Sequence, residues 1–272
     1  MGFGLLGPKN KVLGADIAGR VEAVGGSVRR LKPGDEVFGN LSACGWGGFA
    51  EYARAREDAL VLKPASLSFE QAAAVPMAAV TALQGLRDQG RIQARQKVLI
   101  NGASGGVGTF AVQIAKSFGA EVTAVCSTGK MDMVRSLGAD HVIDYTQEDF
   151  TKNGRQYDLI LAANGNRSIS EYKRALSPAG TYVMIGGSDA QVFQGMLLGP
   201  MMSQTGGKRM LSTMSKPNQK DLAFIKELLE SGKVKPVIDK TYALHEVPDA
   251  LRYLERGHAI GKVVINLMEE RQ

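Results

Sequence analysis

The sequence predicts an α/β protein in which a doubly wound parallel sheet is inserted into a smaller β module. From residue 97 onward, short apolar runs alternate with helical patterns, which is typical of strands that form a parallel sheet. A glycine-rich turn joins the first of these strands to the first helix. The flanks instead contain short alternating runs joined by a Pro-Gly turn. We therefore predict a sheet domain over residues 72–236, with boundaries near Gln71 and Pro236, and a β module built from residues 1–71 and 237–272.

The stretch from Lys97 to Val125 has the pattern of a strand, a helix and a second strand. The run Lys97–Ile100 is apolar and bounded by polar residues, as expected for a buried parallel strand. A helix is predicted next, and Gly119 follows it at a position that favours the end of a helix. Its apolar residues fall at helical spacing: Val107, Phe110, Ala111, Ile114, Ala115 and Phe118. "EVTAV" (Glu121 to Val125) is the second strand.

The alternation of strand and helix continues to about residue 232. Further strands are predicted at "DHVIDY" (140–145), "YDLILAANG" (157–165), "GTYVMIGG" (180–187) and "RMLSTM" (209–214). Helices are predicted at "KMDMVRSLG" (130–138), "SISEYKRALS" (168–177) and "DLAFIKELLESG" (221–232). Ligands of a doubly wound sheet bind beyond the carboxyl ends of its strands, where Ser127, Tyr145, Asn164 and Gly186 fall.

The flanks of the sheet domain are predicted to be compact β structure. Between Leu13 and Leu62 the runs "DIAGRVEAVG", "DEVFG" and "FAEYARA" alternate, and "KPGDEVFG" contains a Pro-Gly turn. Near the end of the chain, the helical pattern "PDALRYLERG" precedes a further strand, "GKVVINL".

The glycine-rich turn is a candidate site for a pyrophosphate. Ala103 to Gly108 reads Ala-Ser-Gly-Gly-Val-Gly, which departs from the spacing G-x-G-x-x-G in having Ala first, and Gly102 would then serve the tight turn. Backbone N–H groups at the start of a helix attract phosphate oxygens where no side chain intervenes. The alternative interpretation is a tight turn that binds nothing.

The end of the second strand favours NADP(H) over NAD(H). NAD-binding proteins of this class carry an acid there, about 20 residues past the glycines, which binds the ribose hydroxyls. This chain instead has Cys126-Ser127-Thr128-Gly129-Lys130, whose hydroxyls and lysine suit the additional 2′-phosphate of NADP. The alternatives are a surface lysine at Lys130 and a packed aromatic side chain at Tyr145.

Composition limits the class of protein. The chain has 272 residues, 44% of them hydrophobic and 22% charged, and no apolar run approaches the ~20 residues that would span a membrane. Only two cysteines occur, far apart, which suits a cytoplasmic location rather than a disulfide scaffold. A net charge of +6 either favours an anionic ligand or reflects a basic surface, and no basic run with interleaved aromatics indicates nucleic-acid binding.

Over nearly its whole length the sequence resembles the medium-chain dehydrogenase/reductases, in particular their zinc-independent, quinone-oxidoreductase-like branch, often labelled NAD(P)-dependent alcohol dehydrogenase. The motifs that carry the resemblance are "LGADIAGRVEAVG", "KPGDEVFG", "GGFAEYA", "AAAVPMAAVTALQGL", "NGASGGVG", "SLGADHVIDY" and "GKVVI". The resemblance implies a GroES-like catalytic domain, a Rossmann domain and a cofactor cleft between them. It also implies a homodimer.

The resemblance implies a cofactor site residue by residue. Thr81 would lie near the nicotinamide, and Ser104, Gly105, Gly106 and Val107 would face the pyrophosphate. Ser127, Lys130 and Tyr145 would face the adenosine 2′-phosphate. The nicotinamide ribose and ring would be lined by Asn164, Ile185, Gly186, Gly187 and Ser188. Trp46 either lines the substrate pocket or packs within its loop.

No metal site is predicted. Zinc-dependent relatives have Gly-His-Glu where this chain has Gly14-Ala15-Asp16, so Ala15 replaces the ligand histidine. A lobe holding a structural zinc would need several cysteines, whereas the chain has two. His141, His245 and His258 are not paired at metal-binding spacing.

The resemblance therefore implies an oxidoreductase that transfers hydride from NADPH to a quinone or an activated carbonyl such as an enone, a small molecule, without zinc. Relatives have a longer section ahead of "LGADIAG", which in this chain is reduced to "MGFGLLGPKNKV". We therefore keep a second hypothesis, that of an N-terminally shortened NADP(H)-binding protein without turnover. A third is an alcohol dehydrogenase acting on an unknown alcohol or aldehyde.

Overall fold

The computed structural model describes residues 3–4, 7–8, 12–164, 167–186 and 207–267. Contacts between residues divide the chain into two units. The first comprises Met1–Val80, Pro217–Ser231 and Pro236–Gln272, and the second comprises Thr81–Lys216 and Gly232–Lys235. This division groups residues 217–231 with the first unit, whereas the sequence assigned them to the sheet domain. The predicted domain boundaries near Gln71 and Pro236 stay a prediction.

The N-terminal part of the first unit consists of short antiparallel strands followed by two helices. Strands β1 (Phe3–Gly4) and β2 (Gly7–Pro8) pair with each other, and a three-stranded sheet contains β3 (Asp16–Arg20), β4 (Glu36–Asn40) and β5 (Leu60–Leu62). Helices α1 (Phe69–Ala73) and α2 (Pro76–Leu83) follow. Ser68 begins α1, and its hydroxyl accepts a hydrogen bond from the N–H of Gln71 in a capping box.

One predicted β run does not form a strand. Residues 49–55, "FAEYARA", lie in bends and irregular backbone, and the Tyr52 side chain is 75% exposed. Alternation stabilises a strand only where a neighbouring strand completes its hydrogen bonds. In the described part of the chain β4 lies between β3 and β5 and no strand pairs with this segment, so the prediction was wrong.

The second unit contains the predicted parallel sheet. Its strands are β6 (Lys97–Asn101), β7 (Glu121–Cys126), β8 (His141–Asp144), β9 (Tyr157–Ala162), β10 (Leu176–Met184) and β11 (Arg209–Ser212). Their spatial order is β8-β7-β6-β9-β10-β11, and all neighbours are parallel. In chain order this is 3-2-1-4-5-6, the doubly wound arrangement. The six predicted strands and the fold class are confirmed.

Among the described residues of this unit, three α-helices connect strands of the sheet, and two of them have a terminal residue suited to its position. They are α3 (Gly106–Ser117), α4 (Met131–Ser136) and α5 (Ile169–Ala175). Gly119, just past α3, has φ +78°, a conformation that favours glycine. Ser168 begins α5 and forms a capping box with Glu171. Leu99 and Ile160 are fully buried in the sheet core, where truncating such a side chain to Ala costs about 2–5 kcal/mol.

The C-terminal part of the first unit contains three predicted elements and one strand, Ile238–Ala243, that the sequence did not predict. Helix α6 (Gln219–Glu230) precedes strand β12 (Ile238–Ala243), helix α7 (Val247–Glu255) and strand β13 (Lys262–Asn266). Strands β12 and β13 pair in parallel. Among the described residues, no helix combines the length and the apolar character that a membrane-spanning helix requires.

Candidate functional site

The glycine turn lies where the strand order of the sheet reverses. Strands β6 and β9 are neighbours, while the chain continues from β6 to β7 on the other side, so a crevice opens at their carboxyl ends. Gly102 directly follows β6 with φ +82°, and its carbonyl accepts a hydrogen bond of 3.2 Å from the N–H of Gly105. A Cβ at Gly102 would lie 2.8 Å from the Cβ of Asn164. Gly102 therefore makes the tight turn, as the altered glycine spacing suggested.

The start of α3 has the features of a phosphate site. Gly105 precedes the helix, no side chain caps the helix, and its first turn contains no acid. A Cβ at Gly108 would lie 2.0 Å from the carbonyl oxygen of Gly102, so this glycine allows helix and turn to pack closely. At Gly105 the nearest such contact is 3.6 Å, which leaves space beside the backbone. An uncapped start of a 12-residue helix with open backbone fits a pyrophosphate.

The residues predicted to face the 2′-phosphate lie at the ends of two adjacent strands. Ser127 follows β7 in extended backbone, and its carbonyl accepts a hydrogen bond of 3.0 Å from the N–H of Lys130 in a short turn. Tyr145 follows β8, and its N–H donates to the carbonyl of Cys126 at 3.1 Å. The Tyr145 side chain is 50% exposed, so it is not a packed core residue. The polar turn and the aromatic side chain therefore border one end of the sheet.

Asp144 joins these two strand ends and was missed by the sequence analysis. One carboxylate oxygen accepts from the Thr128 hydroxyl. The other accepts from the N–H of Thr146 at 2.9 Å and from its hydroxyl at 2.7 Å. These hydrogen bonds, the one from Thr128 foremost, lower the pKa of the Asp144 carboxyl, so it stays ionised at neutral pH. Burial raises the pKa of the Cys126 thiol to about 11, and the negative charge of Asp144 is the second cause of this increase.

The predicted nicotinamide end is formed by the ends of β9 and β10. The N–H groups of Ile185 and Gly186 both donate to the carbonyl of Ala162, at 3.0 and 3.3 Å. Asn164 lies two residues past β9, next to the glycine turn. A Cβ at Gly186 would lie 2.4 Å from the carbonyl oxygen of Ala163, so the two strand ends pack closely. Gly187 and Ser188 lie outside the described residues.

Thr81 and Trp46 lie in earlier parts of the sequence and not at the ends of these strands. Thr81 is in α2, and the Asp16 carboxylate accepts a hydrogen bond from the N–H of Met77 in the first turn of that helix, at 3.0 Å. Trp46 belongs to the first unit and has φ +67°, a costly conformation for a non-glycine residue. It follows the turn Ser42–Cys44, which lines a cavity of about 270 Å³, but Trp46 itself is not among the lining residues.

The residues at the zinc-ligand position of metal-dependent relatives serve other roles. Ala15 offers no ligand atom, and Asp16 accepts a hydrogen bond of 2.7 Å from the Asn40 amide and lies 3.5 Å from the Lys262 ammonium. Within the described ranges, no group of three or more His, Cys, Asp or Glu residues is arranged to hold a metal ion. The absence of zinc stays a prediction.

The structure therefore brings most of the predicted cofactor residues to one edge of one sheet. That edge carries Ser104, Gly105, Gly106, Val107, Ser127, Lys130, Tyr145, Asn164, Ile185 and Gly186. Two polar residues at the same edge, Asn101 and Asp144, escaped the sequence analysis. The available signal was a polar residue that ends an otherwise apolar strand, and both residues show it.

Comparisons with known proteins agree with this geometry. The family model "Alcohol dehydrogenase GroES-like domain" matches residues 5–65, and "Zinc-binding dehydrogenase" matches residues 137–265. The mitochondrial NAD(P)H oxidoreductase RTN4IP1 of zebrafish (Danio rerio) is 33% identical over 96% of this chain and 73% of its own length. The 2-methylene-furan-3-one reductase of tomato (Solanum lycopersicum) is 39% identical over 95% of this chain. The chain spans 64% of that reductase, less than two thirds.

A solved structure shares the same fold. The quinone oxidoreductase of Coxiella burnetii superposes with a TM-score of 0.83 and is 29% identical. The match covers 94% of this chain and 79% of that one.

Proposed function

Because the chain belongs to the quinone-oxidoreductase-like branch of the medium-chain dehydrogenase/reductases, we propose that it transfers hydride from NADPH without zinc. The family consists of NAD(P)H-dependent oxidoreductases. The proposed acceptor is a quinone or an activated carbonyl such as an enone. The observation that carries the proposal is the uncapped start of α3 beside the open Gly105, at the crevice between β6 and β9. The relatives support the substrate class: one is a 2-methylene-furan-3-one reductase and another a quinone oxidoreductase.

We propose that the cofactor lies along the carboxyl edge of the sheet. Backbone N–H groups of Gly106 and Val107 would bind the pyrophosphate, with Ser104 and Gly105 beside them. Asn164, Ile185 and Gly186 would line the nicotinamide ribose and ring, and Thr81 would lie near the ring. Gly187 and Ser188 belong to the same predicted set.

The preference for NADPH over NADH rests on the charge at the end of β7. A carboxylate in that turn would repel a 2′-phosphate, and the turn instead offers Ser127 and Lys130. The carboxylate of Asp144, which contacts the turn at Thr128, already accepts hydrogen bonds from Thr128 and Thr146. The hydroxyls, the ammonium and the Tyr145 ring would therefore bind the phosphorylated ribose.

The bound nicotinamide would supply the hydride, and the residues of this chain would position it and exclude water. Quinones and enones are electrophilic without a metal, because the charge that forms on them is delocalised. Such acceptors therefore suit a site where Ala15 replaces a zinc ligand. The neighbouring Asp16 carboxylate already accepts hydrogen bonds from Asn40 and Met77 and pairs with Lys262. Trp46 would contact the acceptor from its strained loop.

The experiment that tests this function follows the absorbance of NADPH with an ortho-quinone and with a small enone, with NADH in parallel. We expect acceptor-dependent oxidation that is faster with NADPH and unchanged after dialysis against a metal chelator. A Lys130→Ala variant should lose the preference for NADPH. The matched control is Lys152→Ala, since Lys152 is an exposed lysine that pairs with Asp149 and is not one of the predicted cofactor residues.

Two other outcomes would identify the alternatives. Folded protein that binds NADPH but oxidises it with neither acceptor would indicate a cofactor-binding protein without turnover. Zinc at one ion per chain, with alcohol-dependent reduction of the cofactor that a chelator abolishes, would indicate a metal-dependent alcohol dehydrogenase.

We also propose a cytoplasmic homodimer. The free cysteines Cys44 and Cys126 support a reducing compartment, and the resemblance supports the dimer. Light scattering coupled to size-exclusion chromatography gives the mass, which should be twice the 29.0 kDa of one chain.

A further inference from the structure

We propose that Asn101 and Tyr172 form a clamp that positions the backbone of Asn164 for the nicotinamide ribose of the bound cofactor. This inference rests on the proposed function, since it needs a dinucleotide at the carboxyl edge of the sheet. Asn101 and Tyr172 act as positioning residues: they hold the segment that follows β9, and Asn164 makes the contact with the cofactor.

The clamp holds both backbone groups of Asn164. The carbonyl of Asn101, the last residue of β6, accepts hydrogen bonds from the N–H groups of Ala163 and Asn164, at 2.9 and 3.3 Å. Its side-chain amide donates to the carbonyl of Asn164 at 3.4 Å and to the Tyr172 hydroxyl at 2.6 Å. Asn101 therefore fixes both the N–H and the C=O of Asn164.

The surroundings fix the clamp in one geometry. Asn101 is 5% exposed and Tyr172 is fully buried, so neither polar group can exchange its partner for bulk water. The Tyr172 ring packs against the rings of Tyr182 and Phe150, with centroids 4.6 and 5.9 Å apart, which holds the hydroxyl in place. The amide of Asn101 is thereby oriented, and with it the backbone of Asn164.

The position of the clamp gives it a functional consequence. It ties the segment after β9 to the end of β6, the strand that leads into the glycine turn, so it spans the crevice where the strand order reverses. Gly102, next to Asn101, packs against Asn164 so closely that a Cβ there would lie 2.9 Å from the Asn164 nitrogen. The glycine turn and the segment after β9 are thus held in a fixed position relative to each other.

The clamp predicts a specific kinetic pattern. The nicotinamide ribose is common to NADPH and NADH, whereas the 2′-phosphate is not. Loosening the clamp should therefore lower the affinities for NADPH and NADH by a similar factor and leave the ratio of the two affinities unchanged. A change that acts on the turn after β7 should alter the ratio instead.

The test compares two tyrosine variants in the full chain. Tyr172→Phe removes only the hydroxyl that holds the Asn101 amide. Tyr157→Phe is the matched control, since its hydroxyl is buried in the same core and, among the described residues, makes no hydrogen bond to Asn101 or Asn164. We expect Tyr172→Phe to raise the Kd and KM for both cofactors about three- to tenfold, with Tyr157→Phe within about twofold of the wild type.

A second variant covers the case in which Tyr172→Phe does not fold. Asn101→Ser keeps a small polar side chain and the backbone carbonyl, while it removes the amide that reaches Tyr172, and it should show the same parallel loss. The double variant should cost no more than Asn101→Ser alone, because Asn101→Ser already removes the hydrogen bond to Tyr172 that Tyr172→Phe breaks.

The outcomes separate this inference from the proposed function. Cofactor affinities of Tyr172→Phe and Asn101→Ser that match the wild type would overturn the clamp while the function stands. A loss confined to NADPH would overturn it too, since it would place the effect at the 2′-phosphate. Wild-type protein that binds neither nucleotide would refute the proposed function, and the inference with it.

Discussion

At the scale of single residues, the preference for NADPH should depend on a hydroxyl that never needs to touch the cofactor. Thr128 donates to Asp144 and so ties the turn that carries Ser127 and Lys130 to the end of β8. Thr128→Val removes that donor at nearly constant volume. We expect the KM for NADPH to rise about three- to tenfold and the KM for NADH to change less than about twofold, because only the 2′-phosphate end is loosened. Steady-state kinetics with both cofactors measure this.

A second threonine, Thr151, offers the matched control. Thr151 donates its N–H and its hydroxyl to Asp149, at 3.0 and 2.8 Å, just as Thr146 does to Asp144. Thr151→Val therefore removes a threonine–aspartate hydrogen bond that involves neither Asp144 nor a predicted cofactor residue. Equal losses for Thr128→Val and Thr151→Val, or equal losses for NADPH and NADH, would contradict a role for Asp144 in this preference.

The residues that the sequence revealed and those that it concealed differ in kind. Gly102 and Gly119 could be predicted, because a left-handed backbone strongly favours one residue type. Asn101 and Asp144 were missed, because a polar residue at the end of a strand is common and does not by itself indicate what the side chain binds. Their roles depend on partners 71 and 16 positions away, Tyr172 and Thr128, which only the folded chain brings together.

At the scale of elements, the start of α3 should tolerate a methyl group at one glycine and reject it at another. A Cβ at Gly108 would lie 2.0 Å from the Gly102 carbonyl and 2.7 Å from the Ala103 Cα, both backbone atoms that cannot yield cheaply. Gly108→Ala should therefore lower the free energy of unfolding by about 1–3 kcal/mol or more, as overpacking does. Urea unfolding measures this.

Gly105→Ala is the companion variant. Its Cβ would meet only the Gly102 carbonyl, at 3.6 Å, and its φ of −83° suits alanine. We expect an unfolding midpoint close to that of the wild type and a weaker affinity for both cofactors, since the methyl group enters the space beside the predicted pyrophosphate. Gly105→Ala protein with wild-type affinity would place the pyrophosphate elsewhere.

Elements were predicted well where a continuous apolar run or a helical spacing identifies the element from its own residues. The six strands of the parallel sheet and helix α3 follow from apolar runs and helical spacing. Residues 49–55 show the limit, because an alternating run becomes a strand only if another strand pairs with it. The sequence of the segment does not contain that information.

At the scale of the whole molecule, the two units should respond differently to the cofactor. The described candidate residues for the cofactor, from Thr81 to Gly186, all belong to the second unit, whereas Trp46, the single tryptophan of the chain, belongs to the first. A ligand at 100 times its Kd stabilises the state that binds it by about 2.7 kcal/mol. Exchange of backbone amides near the bound ligand should slow accordingly.

Hydrogen exchange followed by mass spectrometry, with and without saturating NADPH, tests that expectation. Peptides covering residues 101–110 and 127–130 should gain protection, because they contain the glycine turn, the first turn of α3 and the turn after β7. Peptides covering strands β12 and β13 serve as the internal control and should change less. NADH should protect residues 101–110 but leave residues 127–130 closer to the free protein, since it lacks the 2′-phosphate. Protection concentrated in residues 16–62 instead would move the cofactor to the first unit and contradict the assignment of the sheet edge.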